Sequence, residues 1–425
     1  MKDSVVPILK ALAAAFLVMA VSGVPLWLKE LATLLGVSVF FYQGLQFQEV
    51  YLDNERTYIK RKLRAIYVPF LAFSLFFLVA HNFFAWIGMV GPEPAAANGA
   101  SAYYSFAETS KRMWAIVFGM CGYDSALCQL YWLFRAMLVG VLAFFGARKV
   151  AGLLLPRLGR VQLVGVVALV AFVLLLWMQW LDIKVPIIPG GGYPELLVAF
   201  LIALGYLYRQ SEQYLPNRLV LMAIAVVVLG GVTYVLQTWL AEPTPLVRFL
   251  VRLPAMCCGF VLLHQLAEAI AESGGKVAQV LEYIGHRWLY VIAFSFLAFK
   301  FSGLFVLLAN GLPWSAISEV PVVGYGEGGS AWAILHWICG FGLPILAIWR
   351  WNCMDAKYNL TPENCLRYTL RGIILLGKWI AIAAVFFARN VVVGSKWFYK
   401  QVKNSVVDFF SGVKDIVNKD NIKDE

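Results

Sequence analysis

The chain has 425 residues, of which 61% are hydrophobic and only 14% are charged, whereas a soluble domain usually carries about 25% charged residues. The net charge of +11 does not indicate nucleic-acid binding, because the basic residues are divided among the ends of separate apolar segments. This composition excludes an ordinary soluble domain and indicates a polytopic membrane protein.

About ten segments are long and apolar enough to cross a bilayer. A spanning helix needs about 20 mainly apolar residues, because about 30 Å of hydrocarbon is crossed at about 1.5 Å per residue. Within lipid the backbone must satisfy its own hydrogen bonds, so these segments are predicted to be helices. We therefore predict an all-α bundle of about ten transmembrane helices in residues 1–350. The candidate spans are 5–25, 30–48, 65–88, 128–147, 161–181, 193–209, 217–240, 248–271, 288–311 and 331–350.

Residues 351–425 are predicted to form a cytoplasmic or interfacial helical tail. Segment 371–394 is apolar but carries Lys378 and Arg389, which favours an interfacial helix over an eleventh span. In segment 396–417, apolar residues recur every three or four positions between lysines, which is typical of an amphipathic helix. Such a helix would lie on the membrane surface or on the cytoplasmic face of the protein itself.

Loop charges predict the orientation, because lysine and arginine concentrate in cytoplasmic loops. The loops after the second, fourth, sixth and tenth spans are rich in these residues, whereas loop 312–330 contains neither. We therefore expect a protein of the inner (cytoplasmic) membrane with both termini in the cytoplasm. Loops 89–112 and 312–330 would then face outward.

Cations inside the spans are candidate functional residues, because a charge in hydrocarbon is costly and usually marks a functional site. Lys10 lies in the first third of span one, close enough to the cytoplasmic interface to snorkel towards it. Arg135 lies too deep in the fourth span to be a loop anchor. We expect it to face a polar cavity or an acidic partner, for which Glu195 and Glu268 are the nearest candidates.

Arg61 and Arg64 open the third span three residues apart. On an α-helix this spacing places both side chains on one face, where they could clamp a phosphate or pyrophosphate. The same pair is also typical of a cytoplasmic anchor.

Two histidines, His81 and His264, lie at membrane depth. A lone histidine in an apolar helix is more often a packing residue than a base. The cysteines and histidines have no metal-ligand spacing, so the sequence predicts no metal site.

Several motifs together resemble the acyltransferase-3 integral membrane family. FFYQG at 40–44 and RKLR at 61–64, followed by a proline-containing span, resemble its second and third helices. YWLFR at 131–135 is similar to a later family helix, and the segments 284–300 and 321–344 resemble its closing helices. The resemblance extends over about residues 5–350 in the family's order.

The resemblance implies ten spans and the transfer of an acyl group, often acetyl, from acetyl-CoA to a hydroxyl of a cell-surface glycan or lipid-linked sugar. No bound cofactor is implied, since acyl-CoA is a co-substrate. The family places a basic residue and a histidine on helix one. Lys10 matches the basic residue, but Val21 stands where the histidine is expected. The groups suited to CoA phosphates are Lys10, Arg61, Arg64 and Arg135.

Three functions follow from these residues. The first is an O-acyltransferase in which His81 or His264 replaces the missing base. The second is a family member without catalysis, which binds an acyl donor, a lipid-linked sugar or a partner enzyme. The third is an unrelated multi-span transporter. All three have membrane lipid as a partner, and the first two also have acyl-CoA or the sugar acceptor.

Overall fold

The structure is a computed structural model in which helices dominate. It describes residues 3–91, 103–124, 126–185, 191–238, 244–326 and 329–358. These residues contain helices and no β-strand, which confirms the all-α prediction. The predicted helices in 371–394 and 396–417 lie outside the described residues. Contacts divide the chain into two units, Met1–Ile348 and Trp349–Glu425, and the candidate site lies in the first.

Fourteen α-helices are present in the part of the chain that the structure describes. They are α1 (Val5–Ala20), α2 (Leu26–Gly36), α3 (Ser38–Leu45), α4 (Glu55–Lys62), α5 (Val68–Trp86), α6 (Phe106–Gly119), α7 (Trp132–Leu154), α8 (Arg160–Trp180), α9 (Tyr193–Ser211), α10 (Arg218–Thr238), α11 (Pro245–Ser273), α12 (Lys276–His286), α13 (Trp288–Asn310) and α14 (Ala333–Tyr358). A π-helical turn, Leu63–Tyr67, joins α4 to α5.

Seven of the described helical segments are long and apolar enough to cross a membrane. They are Glu55–Trp86, Trp132–Leu154, Arg160–Trp180, Arg218–Thr238, Pro245–Ser273, Trp288–Asn310 and Ala333–Met354. Helix α1 is apolar but shorter. The structure therefore supports a membrane bundle, with seven candidate spanning helices rather than ten.

The second predicted span, 30–48, differs most from expectation, because it is divided between α2 and α3. Gly36 ends α2 directly against α1, where an added Cβ would lie 2.8 Å from Leu17 Cδ2. Glycine allows this close approach, but it also weakens a helix by about 1 kcal/mol relative to alanine. The break is therefore consistent with tight packing of α2 on α1.

Helix α3 is held against α9 by two glycines, and this contact positions one wall of the candidate site. An added Cβ at Gly44 would meet the carbonyl oxygen of Ile202, and one at Gly205 would meet that of Phe41. Small residues let two helices approach closely and pack backbone on backbone. On its other side, Phe41 stacks on Phe260 of α11 with ring centroids 4.4 Å apart.

Candidate functional site

A cavity of about 660 Å³ lies at the end of the bundle that carries the basic loops. Its walls come from α1, α3, α4, the π-helical turn, α7, α9 and the α12–α13 corner. Four basic side chains line it: Lys10, Arg61, Lys62 and Arg209. The other lining residues are Asp3, Tyr42, Gln43, Leu45, Gln46, Phe47, Gln48, Tyr51, Tyr58, Ala65, Ile66, Met137, Glu212, His286, Trp288 and Leu289.

A short polar chain links two of the cations across the wall. The Lys62 ammonium donates to Gln43 Oε1 at 2.5 Å, and Gln43 Nε2 donates to the Tyr42 hydroxyl at 2.6 Å. The Lys10 ammonium lies 4.1 Å from the centre of the Tyr42 ring. The side chains of α3 therefore hold Lys10 and Lys62 on one surface of the cavity.

The two arginines are held by neutral groups. Arg61 Nη1 donates to the Tyr51 hydroxyl at 3.1 Å, and Arg209 Nη1 donates to the carbonyl oxygen of Leu45 at 2.9 Å. Within the described residues, none of the four cavity cations forms an ion pair with a carboxylate. Guanidinium and ammonium groups in this arrangement bind phosphates well, since charge-assisted hydrogen bonds are the strongest ones.

The inner end of the cavity is aromatic and apolar. The Tyr42 hydroxyl lies 3.8 Å from the Met137 sulfur, and the Trp288 ring packs edge-on against Tyr42 with centroids 6.4 Å apart. Tyr42, Met137 and Trp288 are all buried, so they form the deeper part of the cavity wall. The site therefore combines a cationic mouth with an apolar floor.

Arg64 does not line this cavity, and its side chain is exposed. The sequence spacing predicts that Arg61 and Arg64 share one helix face, but that geometry holds only for a regular α-helix. Arg64 lies in the π-helical turn, which changes the angle between successive residues. Lys62 and Arg209, rather than Arg64, accompany Arg61 on the wall.

Arg135 is also absent from the cavity, and it has the expected acidic partner. Its Nε donates to Glu195 Oε1 at 2.7 Å, and both side chains are buried. The second carboxylate oxygen of Glu195 has no partner among the described residues. Burial raises the pKa of the neighbouring Tyr123 to about 12, although the Arg135 charge lowers it. Arg135 therefore joins α7 to α9 and is not a free phosphate ligand.

His81 forms a buried pair with an aspartate near the other end of the bundle. Its Nδ1 contacts Asp124 Oδ2, and its ring stacks on Tyr104 with centroids 3.4 Å apart. The backbone N–H groups of Ala126 and Leu127 donate to Asp124 Oδ1 at 2.8 and 2.7 Å. An imidazole oriented by a fixed carboxylate is a suitable arrangement for a general base.

The remaining predicted site residues lie apart from the cavity. Val21 follows the last turn of α1, about 16 Å beyond Lys10 by the helical rise. By the same measure His81 lies about 30 Å from Arg61 along α4, the π-helical turn and α5. His264 is fully buried in α11 and is not part of the cavity lining.

The sequence does not identify several residues of the cavity wall. Lys62 lies next to Arg61 in a basic run that equally fits a membrane anchor. Arg209 ends the sixth predicted span, and His286 lies between the eighth and ninth predicted spans. All three lie in, or at the edge of, loops that the sequence predicts to be cytoplasmic. Loop charge therefore predicts which end of the bundle carries the cavity, but it does not identify the side chains that line it.

No family model, curated protein or solved structure matches this chain. The function is therefore argued from the geometry of the cavity, and the family resemblance remains a hypothesis.

Proposed function

We propose that the basic cavity binds the phosphates of an acyl-CoA and that the protein is an integral membrane O-acyltransferase. It transfers an acyl group, in the simplest case acetyl, to a hydroxyl of a cell-surface glycan or lipid-linked sugar. The observation that carries the proposal is the set of four unpaired cations around one cavity. These four cations outnumber the two carboxylates of the lining, Asp3 and Glu212, and a phosphate-rich ligand would neutralise the excess positive charge.

The proposal includes a topology. Helix α1, the α2–α3 pair and α9 complete a set of ten crossings with the seven long apolar segments. Both termini are then in the cytoplasm, and the basic cavity opens there, as the loop charges predict. This side of an inner membrane is the one at which a cytosolic acyl-CoA is present.

The acyl group can reach the middle of the bundle from this cavity. The pantetheine arm of CoA is about as long as an extended peptide of five residues, or about 17 Å. That length is close to the separation between Lys10 and Val21 but shorter than the separation of about 30 Å between Arg61 and His81, so transfer requires the phosphate end to move inwards from Arg61. The arm must pass Tyr42 and Met137, whose side chains are in contact at 3.8 Å. Opening of this contact is therefore part of the proposed binding step.

The proposed base is His81. A sugar hydroxyl loses its proton only far above pH 7, so acyl transfer needs a group that accepts this proton in the transition state. In the proposed topology the His81–Asp124 pair is towards the outer face, where a glycan would approach, and Asp124 would stabilise the imidazolium that forms. His264 is the weaker of the two candidates, because its Nδ1 contacts the neutral Tyr208 hydroxyl at 3.3 Å, whereas Nδ1 of His81 contacts a carboxylate.

A second candidate function is acyl-CoA binding without catalysis. Two observations favour it. Val21 occupies the position at which the family that the sequence resembles has its histidine, and His286 is the one histidine of the described cavity lining. The His286 side chain is 61% exposed and 3.9 Å from Glu282, so it is poorly held for proton transfer.

The first test uses the protein in nanodiscs with radiolabelled acetyl-CoA and a lipid-linked sugar extract. We expect acetyl-CoA to bind at least about 100-fold more tightly than S-acetylpantetheine, because two or more charge-assisted contacts of about 1.5–3 kcal/mol are lost with the phosphates. Transfer of label to the lipid fraction would support the enzyme, and binding without transfer would support the second candidate. Equal affinity for the two thioesters would contradict both.

A further inference from the structure

A second polar cluster lies beside the basic cavity, where the end of α9 meets α11. It consists of Glu212, His264 and Glu268, and one ligand atom of each residue lies within 4.8 Å of the others. Glu212 begins the 3₁₀ helix Glu212–Tyr214, which continues α9, and it also lines the basic cavity. The cluster is therefore within reach of solvent although His264 is fully buried.

The ring of His264 provides the observation that points to a ligand. Its Nε2 is buried and has no hydrogen-bond partner among the described residues, and leaving such a group unsatisfied costs about 1–3 kcal/mol. Its Nδ1 lies 3.3 Å from the Tyr208 hydroxyl, which accepts a hydrogen bond from Gln265 Nε2 at 3.0 Å. These hydrogen bonds occupy Nδ1, so Nε2 is the ring nitrogen that remains available to a cation.

We propose that Glu212, His264 and Glu268 bind one divalent cation of the first transition row, Zn²⁺ or Mn²⁺. Imidazole suits zinc and carboxylate suits manganese, and a set of three protein ligands leaves coordination positions for water. A metal-bound histidine commonly donates its other N–H to an oriented partner. Tyr208 is such a partner, and it stands on the same helix that leads to Glu212.

The carboxylates around the cluster outnumber the cations that pair with them, which favours binding of a divalent cation. Arg218 forms its short contacts with Glu272, at 2.7 and 2.8 Å, whereas Glu268 is 3.6 Å away. Glu268 and Glu272 thus share one guanidinium, and Glu212 adds a third carboxylate to this region. Without a cation, Glu212 and Glu268 repel each other or share a proton. A bound metal removes this repulsion and satisfies the buried nitrogen of His264 at the same time.

The experiment titrates Mn²⁺ into the chelator-treated, full-length protein in nanodiscs and follows the electron paramagnetic resonance signal of the free ion. We expect the wild type to bind one Mn²⁺ per chain and Zn²⁺ to displace it. Glu212→Gln and His264→Gln should each weaken binding by more than the roughly 10–100-fold typical of an outer-shell loss. Glu282→Gln removes a carboxylate from α12, outside the cluster, and should bind Mn²⁺ like the wild type.

Two results would overturn the site: an unchanged free-ion signal with the wild type, or Mn²⁺ binding by Glu212→Gln that equals the wild type. Glu212 is half-buried in a short surface helix, so its amide variant decides the question even if His264→Gln does not fold. The titration contains no acyl-CoA. Its outcome is therefore independent of the proposed acyltransferase function.

Discussion

Replacing Glu195 by leucine is expected to destabilise the folded protein by about 3–5 kcal/mol. The change leaves the Arg135 guanidinium buried without its carboxylate, and a charge in that position cannot be rehydrated at low cost. The double variant Arg135→Met/Glu195→Leu should recover nearly all of this loss, because replacing a buried ion pair by apolar residues is often neutral or stabilising. Reversible unfolding in mixed micelles, followed by tryptophan fluorescence, measures all three proteins.

The exposed pair between Asp182 and Lys184 provides the control. Its atoms are 3.4 Å apart and both side chains are more than 70% exposed, so Asp182→Asn should change stability little. Asparagine also tolerates the positive φ of this residue. Two results would contradict the proposal that Arg135 links α7 to α9 through a buried ion pair. One is a loss of stability in Glu195→Leu as small as that in Asp182→Asn; the other is a loss of stability in the double variant as large as that in Glu195→Leu.

Replacing His81 by asparagine is expected to lower acetyl transfer about 10²–10⁴-fold, with acetyl-CoA affinity unchanged. Asparagine cannot take the hydroxyl proton, and the proposed phosphate site lies about 30 Å away along the helix. Asp124→Asn should also slow transfer, because it removes the carboxylate that orients the ring and stabilises its charged form. The measurement is the initial rate of label transfer at saturating acetyl-CoA.

His286→Asn provides the matched control, since it alters the histidine that lines the cavity and leaves the His81–Asp124 pair intact. We expect it to retain transfer. Loss of transfer in His286→Asn together with full activity in His81→Asn would show that the acyl group reacts in the basic cavity and not at His81.

Local patterns in the sequence predict the features that depend on neighbouring residues. Long apolar runs predict the helices because burial in lipid requires internal hydrogen bonding. The depth of Arg135 in an apolar run predicts a buried partner, and Glu195 is that partner. Lys10 is predicted to belong to a polar site, and it lines the cavity.

Features that depend on distant contacts or on local helix distortion are not predictable in this way. The π-helical turn that separates Arg64 from the cavity has no sequence signature in RKLR. Asp124 lies in a loop far from His81 in sequence, and only the packing of that loop on α5 brings them together. Glu212 and His264 are likewise joined by the contact between α9 and α11, which is why their spacing fits no metal motif.

The most direct test of the central claim compares two arginines of the same basic run. Equilibrium binding of labelled acetyl-CoA is measured in nanodiscs for the wild type, Arg61→Gln and Arg64→Gln. Arg61 lines the cavity and should donate to phosphate, so its loss should weaken binding about 10–100-fold, whereas Arg64→Gln should bind like the wild type. Equal weakening in both variants, or none in either, would contradict a phosphate site in this cavity.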